Sequence, residues 1–307
     1  MVKSRILLLT TGLILLFFIL VLILPGIERE TGQEEKNQQE IVIREVKEET
    51  EQEEINWQWL EKQKPMYQLS EAEIKPILKE LHRQFPDKEE RLKALALWRL
   101  GTPYKLGCLG EETGRDKNPI FRTDVADCTV FVLTNVALLH AETLAEARDM
   151  MKFLNYRSEE ITYENRLHFS TDRNEASPYF KDITHNFIEP EKIRQKEVVL
   201  NKTKEDGQRL IDIDWQKTIT LKYIPYDYIT SEFLQTLPVA TGIAFVGEND
   251  SAIGLDIAHE GFLFDRKTLV HAVSDQGRVV KENFLDYYFV DQSIPRFEGI
   301  ILFEAWL

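Results

Sequence analysis

Cysteine and histidine are the residues of this chain best suited to nucleophilic or metal chemistry, and there are only two of the first and six of the second. Cys128 stands in "ADCTVFV", behind Asp127 and ahead of an apolar run. Aspartate is a good N-cap, so Cys128 is expected in the first turn of a helix. The helix dipole and the unpaired backbone N–H groups there favour thiolate over thiol, which suits a nucleophile. Two other fates stay open: a buried thiol acting as a small hydrophobe, and a disulfide to Cys108 in an exported domain.

A nucleophilic cysteine needs a base. His82 and His140 fall on or at the ends of helical patterns and read as surface residues, and His185 has no evident partner. His259 and His271 differ. They lie twelve residues apart in strand-like segments on either side of "FDRKT". A hairpin turning about Asp265 makes them direct cross-strand neighbours on one face, with Cβ atoms about 4.5–5.5 Å apart. One imidazole then acts as base and the other orients it. A slip of one residue would put them on opposite faces. Cysteine with two histidines can also hold zinc, but a fourth ligand is not evident, so neither metal nor cofactor is expected.

These side chains need a scaffold. Ser70 and Glu73 in "SEAEIKPILKELHRQF" form a capping-box pattern, followed by apolar residues at helical spacing, with Pro76 as an obstacle that could move the helix start. Further helices fit "DKEERLKALALWRL", stopped by Gly101, then "CTVFVLTNVALLH" and "ETLAEARDMMKFLNY". A glycine-rich loop, "GTPYKLGCLG", lies between the second and third. Residues 157–205 show little periodicity and are expected to form long loops with short helices. Beyond them "TITLKYI", "VATGIAFVG", "GLDIAHEGFLF", "TLVHAVS" and "GIILFEAWL" read as strands. Helices first and an antiparallel sheet later is an α+β pattern.

The chain opens with "MVKSRILLLTTGLILLFFILVLILPGI", an uncharged apolar run behind Lys3 and Arg5. The run is long enough to span a bilayer and lacks a small-residue cleavage site. Residues 1–27 are therefore expected to be a cytoplasmic tip and transmembrane anchor, with the rest of the chain outside. Residues 28–56 read as an acidic spacer, with eleven Glu against four Lys or Arg, and 57–307 as the folded domain. The net charge of -14 disfavours nucleic acid as a partner.

At "GTPYKLG", "DCTVFV", "AHEGF" and "VHAVS" the chain resembles the NlpC-type cysteine peptidases and amidases, which are papain-like in fold. It is more closely similar to their N-acetylmuramoyl-L-alanine-amidase-like branch, through "RLGTPY", "NYRSEEITYENRLHFSTD", "KDITHNF", "YIPYDYI" and "HAVSDQGRVV" in order. The resemblance implies Cys128 as nucleophile, His259 as base, His271 as orienting residue and Tyr104 as a tyrosine lining the site. It matches Arg166 and His168 to a segment of the substrate groove, with a structural loop clasp as the equal alternative. Two positions depart from the pattern: Glu260 where an apolar residue is usual, and Val273 where a small hydroxyl residue is usual. The activity implied is hydrolysis of a peptidoglycan amide bond, either muramoyl–L-alanine or a stem-peptide bond. A catalytically silent wall-binding module with the same fold is the alternative. The intact Cys and His pair argues against it.

Overall fold

A computed structural model of the chain describes residues 54–305 except 55, 249 and 292. The expected anchor, and the spacer up to residue 53, lie outside the described residues. Among the described residues no helix is long and apolar enough to cross a membrane.

The folded unit, Asn56–Leu307, is an α+β arrangement of helices on an antiparallel sheet. Helix α1 (Glu71–Gln84) starts where its capping box sets it: the Ser70 side chain accepts from the Glu73 N–H, and the Glu73 carboxylate accepts from the Ser70 N–H. Pro76 lies inside this helix and does not move its start; the bond it forgoes is the one to the Ala72 carbonyl. Asp87 caps α2 (Lys88–Trp98), and Gly101 beyond it takes a positive φ of 82°. Helix α3 (Cys128–Leu139) is buried at every position from Val130 to Leu139, as expected of a helix apolar on all sides. Its buried polar side chains bond back to the helix: Thr134 Oγ1 to the Val130 carbonyl and Asn135 Nδ2 to that of Phe131. A second capping box, Thr143 with Glu146, starts α4 (Leu144–Asn155). His82 is not on the surface. It is half-buried, with Nε2 on the Leu138 carbonyl at 2.9 Å, and joins α1 to the end of α3. His140 is likewise half-buried, its ring edge-on to Tyr179.

Past α5 (Ser170–Ala176) come the strands: β1 (Lys181–Asp182), β2 (Arg194–Leu200), β3 (Lys217–Pro225), β4 (Ala240–Val246), β5 (His259–Phe264), β6 (Thr268–Val273) and β7 (Arg278–Asn283), with β10 (Gly299–Glu304) last. The order across the sheet is β2-β3-β10-β4-β5-β6-β7, and β1 pairs with the end of β10. A small pair, β8 (Phe289–Val290) and β9 (Ile294–Pro295), and three short helices, α6 (Ser231–Thr236), α7 (Asp250–Ile253) and α8 (Phe284–Tyr288), complete these elements. The sheet separates two cores. Phe262, Phe264, Val270 and Phe303 pack with the helices. Leu263, Leu269, Phe245 and Leu302 pack on the far side with Phe284 and Tyr288 of α8. Alternation along β5 therefore sends His259, Gly261 and Leu263 to one side and Glu260 and Phe262 to the other.

Besides the two-residue strands β1, β8 and β9, two longer strands are absent from the pattern read along the sequence. Strand β2 falls in the stretch expected to be loops, and β7 follows the last strand of the hairpin unmarked. Both are outermost strands. An edge strand has a single neighbour and carries charges that spoil the apolar alternation, as "RQKEVVL" and "RVVKEN" do.

Candidate active site

The start of α3 is held from two directions. The Asp127 carboxylate accepts from the N–H of Val130 at 2.8 Å, which caps the helix, and from the N–H of Gly107 at 2.8 Å, which ties down the "TPYKLG" loop. Tyr104 and Ala126 form a parallel bridge beside it. Helix α3 lies against β5, the strand that begins with His259. Cys128 is a free, partly exposed thiol, and Cys108 is a free, buried one. No disulfide joins them in this structure.

The helix start does not favour the thiolate as its position in the sequence led us to expect. Burial, then the carboxylates of Glu260 and Asp127, push the Cys128 thiol up to about 12, and the donated hydrogen bonds do not offset this. Cys108 is raised to about 11, chiefly by burial. Iodoacetamide at neutral pH is expected to label Cys128 ahead of Cys108 because only Cys128 is accessible. The rate should still be climbing above pH 9, since the thiolate is the reacting form. A rate that levels off below pH 7 would contradict the raised thiol.

The two histidines meet, though not in the register expected. Strands β5 and β6 pair Phe262 with Val270, Leu263 with Leu269 and Phe264 with Thr268. The turn is centred on Arg266 rather than Asp265, with both residues at positive φ. A two-residue shift keeps His259 and His271 on one face but makes them diagonal neighbours. The residue across from His271 is Gly261, where an added Cβ would lie 2.8 Å from the His271 Cβ. His259 Nε2 lies 2.6 Å from His271 Nδ1, and His271 Nε2 lies 2.6 Å from Glu282 Oε1 on β7. Tyr287 of α8 stands edge-on to the His271 ring at 4.5 Å and tilted to that of His259 at 5.9 Å. Phe245 stacks on His259 at 5.5 Å. Burial, then the neighbouring His271, lower the His259 imidazole to about 3. Burial also lowers His271, against the pull of Glu282. Both rings are neutral at pH 7.

A charge on Cys128 would add to the raising of both the Tyr104 and the Tyr287 phenol. Burial raises both phenols, Tyr104 to about 12, so each keeps its proton. Tyr287 and Glu282 carry no mark in the sequence. They lie on α8 and on the unassigned strand β7, and only the fold brings them to His271.

Glu260 departs from the family pattern for a visible reason. Its side chain lies on the helical side of the sheet, away from the two imidazoles. Its carboxylate accepts from Arg173 at 2.6 and 3.0 Å and from Ser170 at 3.3 Å. Burial opposes its ionisation, but the Arg173 charge and the bonds from Arg173, Thr129 and Ser170 outweigh it and hold the carboxyl below the usual range. Arg173 also lies over the Phe180 ring at 4.6 Å.

Arg166 and His168 are engaged inside the protein. Arg166 pairs with Glu111 at 3.1 Å and Asp116 at 3.0 Å, and donates to the Leu109 carbonyl at 2.8 Å. His168 Nε2 lies 2.7 Å from the Tyr163 carbonyl, and burial lowers the ring to about 4. Arg166 clasps the loop that follows Cys108, and His168 holds the segment around Tyr163. A cleft of about 570 Å³ opens between β3 and β1, lined by residues such as Lys217, Lys222 and Asp182. It includes neither Cys128 nor the histidines.

Solved structures share this fold. A Legionella pneumophila protein of the DUF1460 family model aligns with a TM-score of 0.64 at 24% identity, over 77% of this chain and 96% of its own. A Bacteroides uniformis N-acetylmuramoyl-L-alanine amidase aligns with a TM-score of 0.58 at 19% identity, over 72% and 99%. A Bacteroides fragilis protein described as a xylanase aligns at 0.55 and 20%, over 69% and 99%. At such identities the likeness is one of fold. No curated protein matches the chain. The family model described as N-acetylmuramoyl-L-alanine amidase-like matches residues 95–294, a stretch that contains Cys128, His259, His271 and Glu282, and the chain belongs to that AmiA-like family.

Proposed function

We propose that the chain is a cysteine hydrolase of the NlpC-type, papain-like superfamily that cleaves an amide bond of peptidoglycan. The observation that carries this reading is the meeting of two elements. Helix α3, which begins with the partly exposed Cys128, packs against β5, which begins with His259, and His259 is held by His271. The family and the Bacteroides uniformis amidase favour the muramoyl–L-alanine bond over a stem-peptide bond. Cys128, His259 and His271 then act as nucleophile, base and orienting residue. In this reading Arg166, through the loop after Cys108, and His168, through the segment around Tyr163, shape the substrate groove.

The electrostatics favour a particular course. With the thiol raised and the imidazole lowered, the resting pair is neutral. The Cys128 proton passes to His259 as the sulfur attacks the carbonyl carbon. In this course the Cys128 backbone N–H and the Tyr104 hydroxyl donate to the oxyanion. The amine leaves with the proton from His259, and a water activated by the same ring clears the acyl-enzyme. Keeping both groups neutral until the substrate arrives leaves the thiol less open to oxidation, because the thiolate is the susceptible form.

Residues 1–27 anchor the enzyme in this proposal, 28–56 hold it off the membrane, and 57–307 form the hydrolase domain outside the cell. Digestion of purified peptidoglycan with mass analysis of the fragments tests the activity. Muramoyl–alanine cleavage releases whole stem peptides with a free L-alanine amine. Stem-peptide cleavage leaves a short peptide on the sugar. Release of neither product overturns the proposal.

A further inference from the structure

We infer that Glu282 is a positioning residue that sets the tautomers of both histidines and thereby makes Nδ1 of His259 the basic atom. The inference rests on the reading of Cys128 and His259 as nucleophile and base. It begins with an ionised carboxylate, which only accepts hydrogen bonds. Glu282 Oε1 lies 2.6 Å from His271 Nε2, so that nitrogen carries the proton and donates. The opposite tautomer would set a nitrogen lone pair against a carboxylate oxygen at that distance.

His271 is fully buried and neutral, so one proton is all it holds. Its Nδ1 is then a lone pair. His259 Nε2, 2.6 Å away, must be the donor in that contact. His259 is neutral as well, which leaves its Nδ1 unprotonated. Nδ1 of His259 has no hydrogen-bond partner among the described residues, whereas every other nitrogen of the two rings has one. Two short bonds thus carry the orientation set by one carboxylate, from β7 through β6 to β5.

The surroundings do not supply a competing order. The groups facing His271 are His259 from β5, Glu282 from β7 and the Tyr287 ring from α8. Tyr287 presents a ring edge and makes no hydrogen bond to either imidazole. Arg296 lies over the outer face of Tyr287 at 5.5 Å. When His259 takes the Cys128 proton on Nδ1, the ring becomes an imidazolium whose Nε2 proton is already directed at His271. The Glu282 charge stabilises that cation through His271. Glu282 sits on an edge strand with its side chain about 30% exposed.

The experiment uses full-length protein labelled with nitrogen-15 histidine, read by long-range proton–nitrogen correlation at pH 7. Both His259 and His271 are expected as Nε2–H tautomers in the wild type and in Cys128→Ala. In Glu282→Leu, which cannot accept the bond, His271 is expected to shift to Nδ1–H or a mixture. Peptidoglycan turnover, kcat, is expected to fall roughly tenfold to a hundredfold with little change in KM, the usual scale for a partner that orients a catalytic imidazole. Glu282→Gln keeps an acceptor oxygen and the shape but not the charge. It should hold the tautomers and fall between wild type and Glu282→Leu in kcat, and it serves as the test should Glu282→Leu fail to fold. An Nδ1–H tautomer at His271 in the wild type overturns the inference. So does a Glu282→Leu protein, or a Glu282→Gln protein if only that one folds, with wild-type tautomers and wild-type kcat. The expected tautomers in a wild type that cleaves no peptidoglycan would uphold the order of protons and sink the hydrolase reading instead.

Discussion

Replacing Cys128 with alanine is expected to abolish peptidoglycan cleavage, a loss of about 10⁴-fold or more, as for removal of a nucleophile that acts as one unit with its base. The folded state should scarcely notice. Cys128 is partly exposed as a residue and stands in the first turn of α3, outside the fully buried stretch from Val130 onward. Asp127, not Cys128, supplies the cap of α3 and the bond to the Gly107 loop. Cys128→Ser should also fail to turn over yet bind wall fragments, because a hydroxyl in this neutral setting is a much poorer nucleophile than sulfur. His259→Ala should fall with it, whereas His271→Ala should keep a trace of activity, since base and orienting residue differ in role. Fragment release measured for the four variants alongside thermal melts separates these outcomes. Undiminished release by Cys128→Ala would make Cys128 a packing residue.

The largest expected effect on stability lies one residue beyond His259. Glu260 and Arg173 are each about 1% exposed and joined at 2.6 Å across the helical side of the sheet. Glu260→Ala leaves the Arg173 guanidinium buried without its counter-charge, at an expected cost of about 3–5 kcal/mol in urea unfolding. Arg173→Met should cost a similar amount by stranding Glu260. The double variant Glu260→Leu with Arg173→Met should be more stable than either single one, because no buried charge is left unpaired. The pH dependence follows from the direction of the shift. The folded carboxyl is held below its ordinary value of 4.5, so its contribution is present above that pH and lost as pH falls through the lower folded value. Wild type should therefore lose stability on acidification below pH 4.5 more steeply than the double variant. A cost below about 1 kcal/mol for Glu260→Ala would place that pair among weak surface-like bridges.

His259 adds to the acid sensitivity with the same sign. Its imidazole is lowered from 6.5 to about 3 in the fold, so between those values the unfolded chain binds the proton and the native state does not. Stability from this source is whole above pH 6.5 and declines as pH falls toward 3.

Much of the scaffold was legible along the chain because its signals are local. The Ser70–Glu73 capping box, an Asp N-cap ahead of Cys128 and apolar runs in β4 and β10 each act within a few residues of themselves. The α+β class follows from their order. The meeting of His259 with His271 was also within reach, because a hairpin is the shortest-range form of tertiary contact. Even there the turn centre was placed one residue early, and the contact survived because parity decides the face. The sequence could not order β7 against β6, since an edge strand with charges lacks the alternation that marks a strand. Glu282 was therefore invisible. Only the assembled sheet brings its carboxylate to a histidine eleven residues away.

The protonation of Cys128 was decided by the tertiary structure as well. By itself the sequence determined a capped helix start, and a helix start favours a thiolate. The fold then buries the sulfur, places the Glu260 and Asp127 carboxylates beside it and raises the thiol to about 12. Local order along the chain is enough to put a cysteine at the start of a helix. Its charge depends on the sum of solvent and neighbours, and most of those neighbours arrive from other parts of the chain.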